Sequence, residues 1–188
     1  MIIVGITGTI GAGKGTLVDY LVNKKDFAHY SVRSFLIEEI EKRNLPVNRD
    51  SMVLIANELR EKNSPSYIID CLFEQAKQAG KDAVIESIRS AGEVDSLRQK
   101  DNFRLLAVDA DPTVRYKRIV QRNSETDHIS YEEFLSNEQR EMTSSDPNKQ
   151  NLSKCIAMAD YLLTNNGTID ELYKQFEDKL FDRIRKNI

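Results

Sequence analysis

The chain is predicted to be an α/β protein with a five-stranded parallel sheet and helices on both faces. Five short apolar runs with strand character are spread along the chain, at residues 2–7, 28–31, 82–86, 103–109 and 160–164. Segments with helical periodicity separate them, and strands that alternate with helices build parallel sheets. The length of 188 residues fits one such domain with a sizeable core.

The helices are predicted from apolar residues spaced three and four positions apart and from capping residues. They are expected at residues 15–24, 33–43, 50–62, 66–79, 91–100, 112–122, 131–143 and 150–158. A last helix is expected at 168–186, which carries an apolar stripe from Ile169 to Ile184. In such a sheet ligands bind at the carboxyl ends of the strands, so the residues that follow each strand are the candidates for function.

We expect residues 1–188 to form a single domain with two additions to the sheet. A helical insert at about 33–80 is the expected acceptor side of the site. A polar stretch follows residue 122, and a new helix follows that stretch. This pattern predicts a short lid at about 122–145 that excludes water when it closes.

The most specific pattern is a glycine-rich loop between the first strand and the first helix. It reads G-x-x-G-x-G-K-G-T and contains Gly8, Gly11, Ala12, Gly13, Lys14, Gly15 and Thr16. The glycines let successive backbone N–H groups converge on a phosphate chain, and the helix adds its positive N-terminal end. Lys14 is placed to reach the β- and γ-phosphates. The loop therefore predicts a phosphate-binding loop for a nucleoside triphosphate, taken as ATP.

A magnesium ion is expected with the triphosphate. The usual motif has Ser or Thr directly after the lysine, where the hydroxyl binds Mg²⁺, but this chain has Gly15 there and Thr16 next. Mg²⁺ keeps several of its waters when it binds to proteins. We therefore expect Thr16 and an acidic residue to hold the ion mainly through water.

Composition and charge exclude several classes of partner. The net charge is −3, and no stripe of Lys and Arg with stacking aromatic residues indicates a nucleic-acid surface. The apolar runs are too short to span a bilayer, and the first strand lacks the basic flank of a signal peptide. Cys71 and Cys155 are predicted to be apolar fillers in helices rather than a disulfide. We expect a cytoplasmic protein, either a monomer or a dimer.

The tip of the third strand carries the first candidate residues outside the loop. Glu86 ends a buried apolar strand, and Arg89 follows three residues later. An acid at this place can orient Mg²⁺ or its waters. An arginine there can bind the phosphate of an acceptor as a fork.

Arginines on the helix at 112–122 are the candidate transition-state residues. Arg118 and Arg122 lie four positions apart and share one helix face, where they could spread the charge of the transferring phosphoryl group. A plain solvated basic face is the alternative interpretation. Arg140, on the helix after the polar stretch, is a further candidate for the closed lid.

The remaining candidates follow the second and the last strand. Arg33 and Arg60 are candidate ligands of the acceptor phosphate, although both also fit ordinary surface arginines. Asn166 lies in an Asn-Asn-Gly turn that could border the purine ring, but the same sequence is typical of a simple turn. His29 and His128 have no partners at metal-ligand spacing and receive no role.

These segments together resemble a nucleotide-kinase-like family of P-loop NTPases. The resemblance rests on the G-x-x-G-x-G-K-G-T loop, on Val-Ile-Glu-Ser-Ile-Arg, on Arg-Ile-Val-x-Arg and on Ala-Asp-Tyr-x-x-x-Asn-Asn-Gly-Thr. It covers nearly the whole chain and is shared with adenylate and other nucleoside monophosphate kinases and with dephospho-CoA kinases. It implies an ATP- and Mg²⁺-dependent transfer of the γ-phosphoryl group to a small nucleotide.

The two related families imply different acceptors. Resemblance to monophosphate kinases gives Glu86 the role at the Mg²⁺ waters and Arg89 the role at the acceptor, but that family's arginine in the second helix is replaced by Ile37. Dephospho-CoA kinases need a carboxylate just after the second strand, where residues 31–34 offer none. Because a phosphate acceptor is already anionic and needs no base, a (deoxy)nucleoside monophosphate is the favoured acceptor.

Two other classes stay open. A nucleotide-sensing, degenerate kinase domain would bind ATP without turnover, and the change at Ile37 leaves room for it. A GTP-driven switch is suggested by the string Asn23-Lys24-Lys25-Asp26, but the string ends a helix and no D-x-x-G motif accompanies it.

Overall fold

The computed structural model describes residues 1–122, 129–146, 149–181 and 184. In this part of the chain five strands form one parallel sheet in the order β2-β3-β1-β4-β5. The strands are β1 (Ile3–Gly8), β2 (Ala28–Ser31), β3 (Ala83–Glu86), β4 (Phe103–Asp109) and β5 (Tyr161–Thr164). The predicted α/β class, the parallel sheet and its five strands are confirmed.

Helices follow the strands and lie on both faces of the sheet. They are α1 (Lys14–Lys25), α2 (Val32–Lys42), α3 (Arg49–Lys62), α4 (Tyr67–Ala79), α5 (Ala91–Arg98), α6 (Pro112–Arg122), α7 (Tyr131–Met142), α8 (Leu152–Ala157) and α9 (Ile169–Phe176). Side chains of α1 and α9 pack with Ile6 and Val108 in one apolar cluster. Side chains of α2, α3, α4, α5 and α8 pack with Ile3 and Ile85 in a second cluster on the other face.

The register of the sheet brings the strand ends to one edge. β1 lies in the middle, paired with β3 on one side and with β4 on the other. Gly8 is paired with Val108, and Ser31 is paired with Glu86. The residues that follow β1, β2, β3 and β4 therefore meet at the carboxyl edge, where the sequence predicted the site.

The helical insert and the predicted lid are described to different extents. Residues 33–80 contain most of α2 and all of α3 and α4, which pack against one another between β2 and β3. The predicted lid at about 122–145 contains α7, which begins with a capping box between Ser130 and Glu133. Residues 123–128 of that segment, including His128, lie outside the described residues.

The last helix differs from its prediction. A single helix was expected over 168–186, but α9 ends at Phe176 and a π-helical turn follows at Glu177–Phe181. Contacts with α1 accompany this change: Lys25 Nζ lies 2.5 Å from Glu177 Oε1 and 4.5 Å from the ring centre of Phe181. The apolar stripe indicated that this segment would be buried, but it carried no signal for the wider turn.

Candidate active site

The glycine-rich loop connects the end of β1 to the start of α1. Gly11 and Gly13 adopt the left-handed backbone region, with φ of 76° and 98°. A Cβ atom on Gly11 would lie 2.6 Å from the backbone oxygen of Arg115, and one on Gly13 would clash with the side-chain amide of Asn165. A Cβ on Gly15 would meet no atom of the described residues within 4 Å. The loop is thus closely enclosed at Gly11 and Gly13, whereas it is open at Gly15.

Lys14 folds back over this loop. Its Nζ donates hydrogen bonds to the carbonyl oxygens of Gly8, at 2.9 Å, and of Thr9, at 2.7 Å. Burial lowers the pKa of Lys14 from 10.5 to about 8, and the positive charge of Arg89 adds to this lowering. A buried ammonium group of this kind is favourably neutralised by an anion, so the site is suited to phosphate.

Asn165 fixes the loop from the end of β5. Its side-chain Nδ2 donates to the carbonyl oxygen of Ala12 at 2.8 Å, and the residue is buried. Asn166, the residue predicted from the sequence, is exposed, and its Oδ1 accepts from the backbone N–H of Asp111 at 2.7 Å. The neighbouring asparagine is therefore the one that contacts the phosphate loop.

The two candidate arginines of α6 have different surroundings. Arg118 donates to the carbonyl oxygens of Asn165, at 2.7 Å, and of Gly167, at 3.1 Å. In this arrangement it supports the loop after β5. Arg122 is exposed at the end of α6 and also interacts with another group of the protein. Arg140 is exposed and donates to Ser136 and Asn137 of its own helix.

Arg115 is a site residue that the sequence analysis did not single out. Only 3% of it is exposed, and its Nε donates to the carbonyl oxygen of Ala110 at 2.6 Å. One of its terminal nitrogens lies 3.4 Å from the carbonyl oxygen of Ile10 in the glycine-rich loop, and the other pairs with Glu138 of α7 at 2.7 Å. Arg115 thus connects α6, the loop and α7. Its position four residues before the buried Ile119 was the available signal.

Glu86 lies at the tip of β3, where the sequence placed an acid for Mg²⁺. Its carboxylate is 3.3 Å from Nε2 of His29, a residue for which the sequence predicted no role. A hydrogen bond from His29 holds the pKa of Glu86 below its usual value, against the effect of burial, and Ser31 adds a second hydrogen bond. A carboxylate kept ionised, together with the half-buried Thr16 on the first turn of α1, fits the oxygen ligands that Mg²⁺ takes.

The three predicted acceptor arginines differ in exposure and in their partners. Arg89 is within electrostatic reach of Lys14, and one of its terminal nitrogens lies 3.1 Å from both Glu141 and Gln150. Arg33 is exposed on α2 and lies 3.7 Å from the sulfur of Met52. Arg60 is only 6% exposed and pairs with Glu93 at 2.8 Å. Direct binding of a phosphate by Arg60 does not agree with this placement, because the guanidinium is enclosed and already paired.

Among the described residues, no helix is both long enough and apolar enough to cross a membrane.

The sheet order, the enclosed glycine-rich loop and the lysine at its end define a P-loop nucleotide-kinase-like protein. A family model described as an AAA domain, a family of P-loop NTPases, matches residues 4–144, and the chain belongs to that family.

Two relatives of similar length carry the same family label. A UPF0200 protein of Methanococcus maripaludis is 29% identical over 188 residues, covering 98% of this chain and 99% of the relative. A UPF0200 protein of Pyrococcus abyssi is 26% identical over 181 residues, covering 93% of each.

Solved structures with the same fold include kinases. TT1252 from Thermus thermophilus matches with a TM-score of 0.63 and 19% identity, over 96% of this chain and 97% of that one. A gluconokinase from Sinorhizobium meliloti matches with a TM-score of 0.61 and 11% identity, over 99% and 94%. A shikimate kinase from Bacteroides thetaiotaomicron matches with a TM-score of 0.56 and 12% identity, over 95% and 98%. At these identities the likeness shows the fold alone, which is a kinase-like P-loop fold.

Proposed function

We propose that the protein is an ATP-dependent phosphotransferase that moves the γ-phosphoryl group to a small nucleotide, with a (deoxy)nucleoside monophosphate as the favoured acceptor. One observation carries this proposal. Lys14 lies within electrostatic reach of the cations Arg89 and Arg115 and of the acids Glu86 and Glu141. Such a cluster beside a phosphate loop is suited to a triphosphate with its metal ion and to a second phosphate.

The donor would bind along the loop. Backbone N–H groups of residues 8–16 would hold the α- and β-phosphates, and Lys14 would leave the carbonyls of Gly8 and Thr9 for the β- and γ-phosphates. Mg²⁺ would be held by Thr16 and Glu86, largely through water, and it would neutralise charge on the β- and γ-phosphates. The pKa of Lys14 would rise again once the phosphates are bound.

The acceptor phosphate would bind at Arg89. The guanidinium donates to a carboxylate oxygen of Glu141 and to the side-chain amide oxygen of Gln150. A phosphate could accept from the same N–H groups. An acceptor phosphate would replace these oxygens, and Arg33 on α2 would close from the opposite side. Catalysis would then consist of positioning and charge neutralisation, without a covalent intermediate.

A hydroxyl acceptor, as in dephospho-CoA kinases, is the second candidate, and one observation favours it. The sequence after β2 lacks the required carboxylate, yet the structure brings Glu86 next to the end of β2. Glu86 is paired in register with Ser31 and hydrogen-bonded to Ser31 and His29. This carboxylate could accept the proton of an acceptor hydroxyl.

An acceptor panel distinguishes these possibilities. ADP release is measured with ATP and Mg²⁺ against ribo- and deoxyribonucleoside monophosphates and dephospho-CoA. Turnover of a monophosphate supports the proposal, and turnover of dephospho-CoA alone supports the second candidate. ATP binding with no turnover of any acceptor contradicts both and leaves a nucleotide-sensing domain.

The role of Arg89 is tested on the acceptor found in this way. We expect Arg89→Ala to raise the acceptor KM by about ten-fold or more and to change the KM for ATP little. Arg98→Ala is the matched control, because Arg98 contacts Asp160 and Met158 at the surface of α5. An effect confined to ATP would remove Arg89 from the acceptor site.

A further inference from the structure

The loop between β3 and α5, which carries Arg89, is held in place by contacts along its backbone. Ser87 has a φ of 68°, which is uncommon for a residue with a side chain. The hydroxyl of Thr7 donates to the carbonyl oxygen of Ile88 at 2.8 Å, and the N–H of Asn151 donates to the carbonyl oxygen of Arg89 at 2.8 Å. These contacts fix the backbone at Arg89, which indicates that the direction of its side chain is important for function.

One buried carboxylate joins this loop to the acceptor-side helices. Glu93 has no exposed surface, and its Oε2 accepts the backbone N–H groups of Arg89, at 2.8 Å, and Ser90, at 3.1 Å. Its other oxygen, Oε1, lies 2.8 Å from a terminal nitrogen of Arg60 on α3. A single side chain therefore links Arg60 of α3 to the backbone of Arg89.

Stability alone does not account for this ion pair. A buried pair is often no more stable than apolar residues of the same size, because both charges must lose their water. The pair is also incomplete: Nε of Arg60 is a buried donor that has no hydrogen-bond partner among the described residues. An unsatisfied buried donor adds a further cost. A hydrophobic contact between α3 and α5 would hold the helices together without it.

We propose that Arg60 and Glu93 are positioning residues, which couple the acceptor-side helix α3 to Arg89 so that its guanidinium is aligned when the acceptor binds. This inference rests on the proposed function in one respect, namely that Arg89 binds the acceptor phosphate. Arg60 contributes to acceptor binding through Glu93 and the loop instead of through direct contact with the ligand.

The test removes the charge pair without leaving one buried charge alone. In the double variant Arg60→Met/Glu93→Gln the side-chain volumes are nearly kept, and the new amide offers the loop a neutral and weaker acceptor than the carboxylate. We expect the melting temperature to stay close to that of the wild type. The acceptor KM rises by about ten-fold or more, and the ATP KM stays within about two-fold. Equal increases in both KM values, or no increase in either, would overturn the proposal.

A second variant keeps the test valid if the double variant fails to fold. Arg60→Lys retains a cation that can pair with Glu93, but as a point charge instead of a planar fork. We expect an acceptor KM about three-fold above the wild type with an unchanged ATP KM. An acceptor KM equal to that of the wild type would overturn the coupling. Glu58→Gln is the control, because it removes surface pairs of the same helix with Arg43 and Lys62.

Hydrogen exchange separates the failure of this inference from the failure of the proposed function. Absence of turnover with every acceptor would contradict the function, but the amide protons of Arg89 and Ser90 can still be followed by NMR. In the double variant these two protons should exchange about ten-fold faster, since their charged acceptor is lost. Unchanged exchange in a folded double variant would overturn the coupling itself.

Discussion

The side-chain amide of Asn165 donates a 2.8 Å hydrogen bond to the carbonyl oxygen of Ala12, joining the end of β5 to the phosphate loop across 153 residues of sequence. The same amide occupies the space where a Cβ on Gly13 would lie. The backbone of Asn165 in turn accepts a hydrogen bond from Arg118. The loop is therefore shaped by a residue that is far away in sequence, and the first two predictions below depend on this contact.

Exchanging the amide of Asn165 for a carboxylate should weaken nucleotide binding. Asn165→Asp would place a carboxylate oxygen against the carbonyl oxygen of Ala12, so that a hydrogen bond becomes a repulsion. We expect ATP affinity, measured by calorimetry, to fall by about ten-fold or more. Asn166→Asp should have a small effect, because Oδ1 of Asn166 is the atom that accepts from Asp111 and an aspartate keeps it. Equal losses in the two variants would contradict the assignment.

Two glycines of the loop should respond differently to the same methyl group. Gly13→Ala forces a residue with φ of 98° against Asn165, and we expect ATP binding to be lost together with some stability. Gly15→Ala adds a methyl group with no neighbour within 4 Å in the part of the chain that the structure describes, and it keeps the backbone N–H. Its ATP affinity should stay within about two-fold of the wild type, and its helix should be slightly more stable. A large loss in Gly15→Ala would show that the loop changes shape when it binds.

Nucleotide binding should weaken as the pH rises above about 8. The pKa of Lys14 is lowered to about 8 in the free protein, and bound phosphates raise it. Below that pH the lysine is charged in both states, and above it binding must take up a proton. ATP affinity should then fall by up to about ten-fold for each pH unit, with proton uptake visible by calorimetry in buffers of different ionisation enthalpy. In Lys14→Arg this dependence should disappear, since arginine stays charged.

Removing the charge of Lys14 should stabilise the free protein. Burial lowers the folded pKa of Lys14 below its unfolded value of 10.5, so holding the lysine charged in the folded state costs stability. At pH 7 the lysine is charged in both states, and this cost is present in full. We expect Lys14→Met to raise the free energy of unfolding at pH 7 by about 1 to 3 kcal/mol. The gain should shrink as the pH rises from about 8 toward 10.5, because the wild type regains stability in that range. A destabilised variant would show that the hydrogen bonds to Gly8 and Thr9 outweigh the loss of water.

The magnesium requirement should depend on Glu86. Glu86→Gln removes the charge that His29 and Ser31 keep in place. We expect the Mg²⁺ concentration for half-maximal turnover to rise by about ten-fold, since a neutral amide is a poorer ligand for the ion and its waters. Asp82→Asn, directly before the same strand, is the control. An unchanged Mg²⁺ dependence would mean that Glu86 does not act on the metal ion.

The sequence predicted the sheet well because each strand carries its own local signal. All five strands begin and end within one residue of their predicted limits, and the glycine-rich loop lies where its motif indicated. The π-helical turn after Phe176 was missed, because contacts of Glu177 and Phe181 with α1 are tertiary.

The site was predicted less completely, because its contacts are also tertiary. His29, Arg115 and Asn165 contact partners that are distant in sequence. Of the three, Arg115 alone carried a local signal, its position four residues before the buried Ile119. Arg60 was interpreted as a phosphate ligand, but it shares a helix face with the buried Ala56, four residues earlier. An arginine on an apolar helix face indicates that its charge is paired with a buried acid. The acid is Glu93, but its place in the capping box of α5 gave no sign that it would pair with Arg60.

Transfer of labelled phosphate from γ-³²P-ATP tests the central claim most directly. Wild-type protein and Lys14→Ala are incubated with Mg²⁺ and the acceptor panel, and the products are separated by chromatography. We expect the wild type to label one acceptor, while folded Lys14→Ala labels it at least about a hundred-fold more slowly. Label that passes only to water would contradict the proposed transfer to a nucleotide acceptor. A Lys14→Ala variant that is active within a few-fold of the wild type would contradict the assignment of this loop as the donor site.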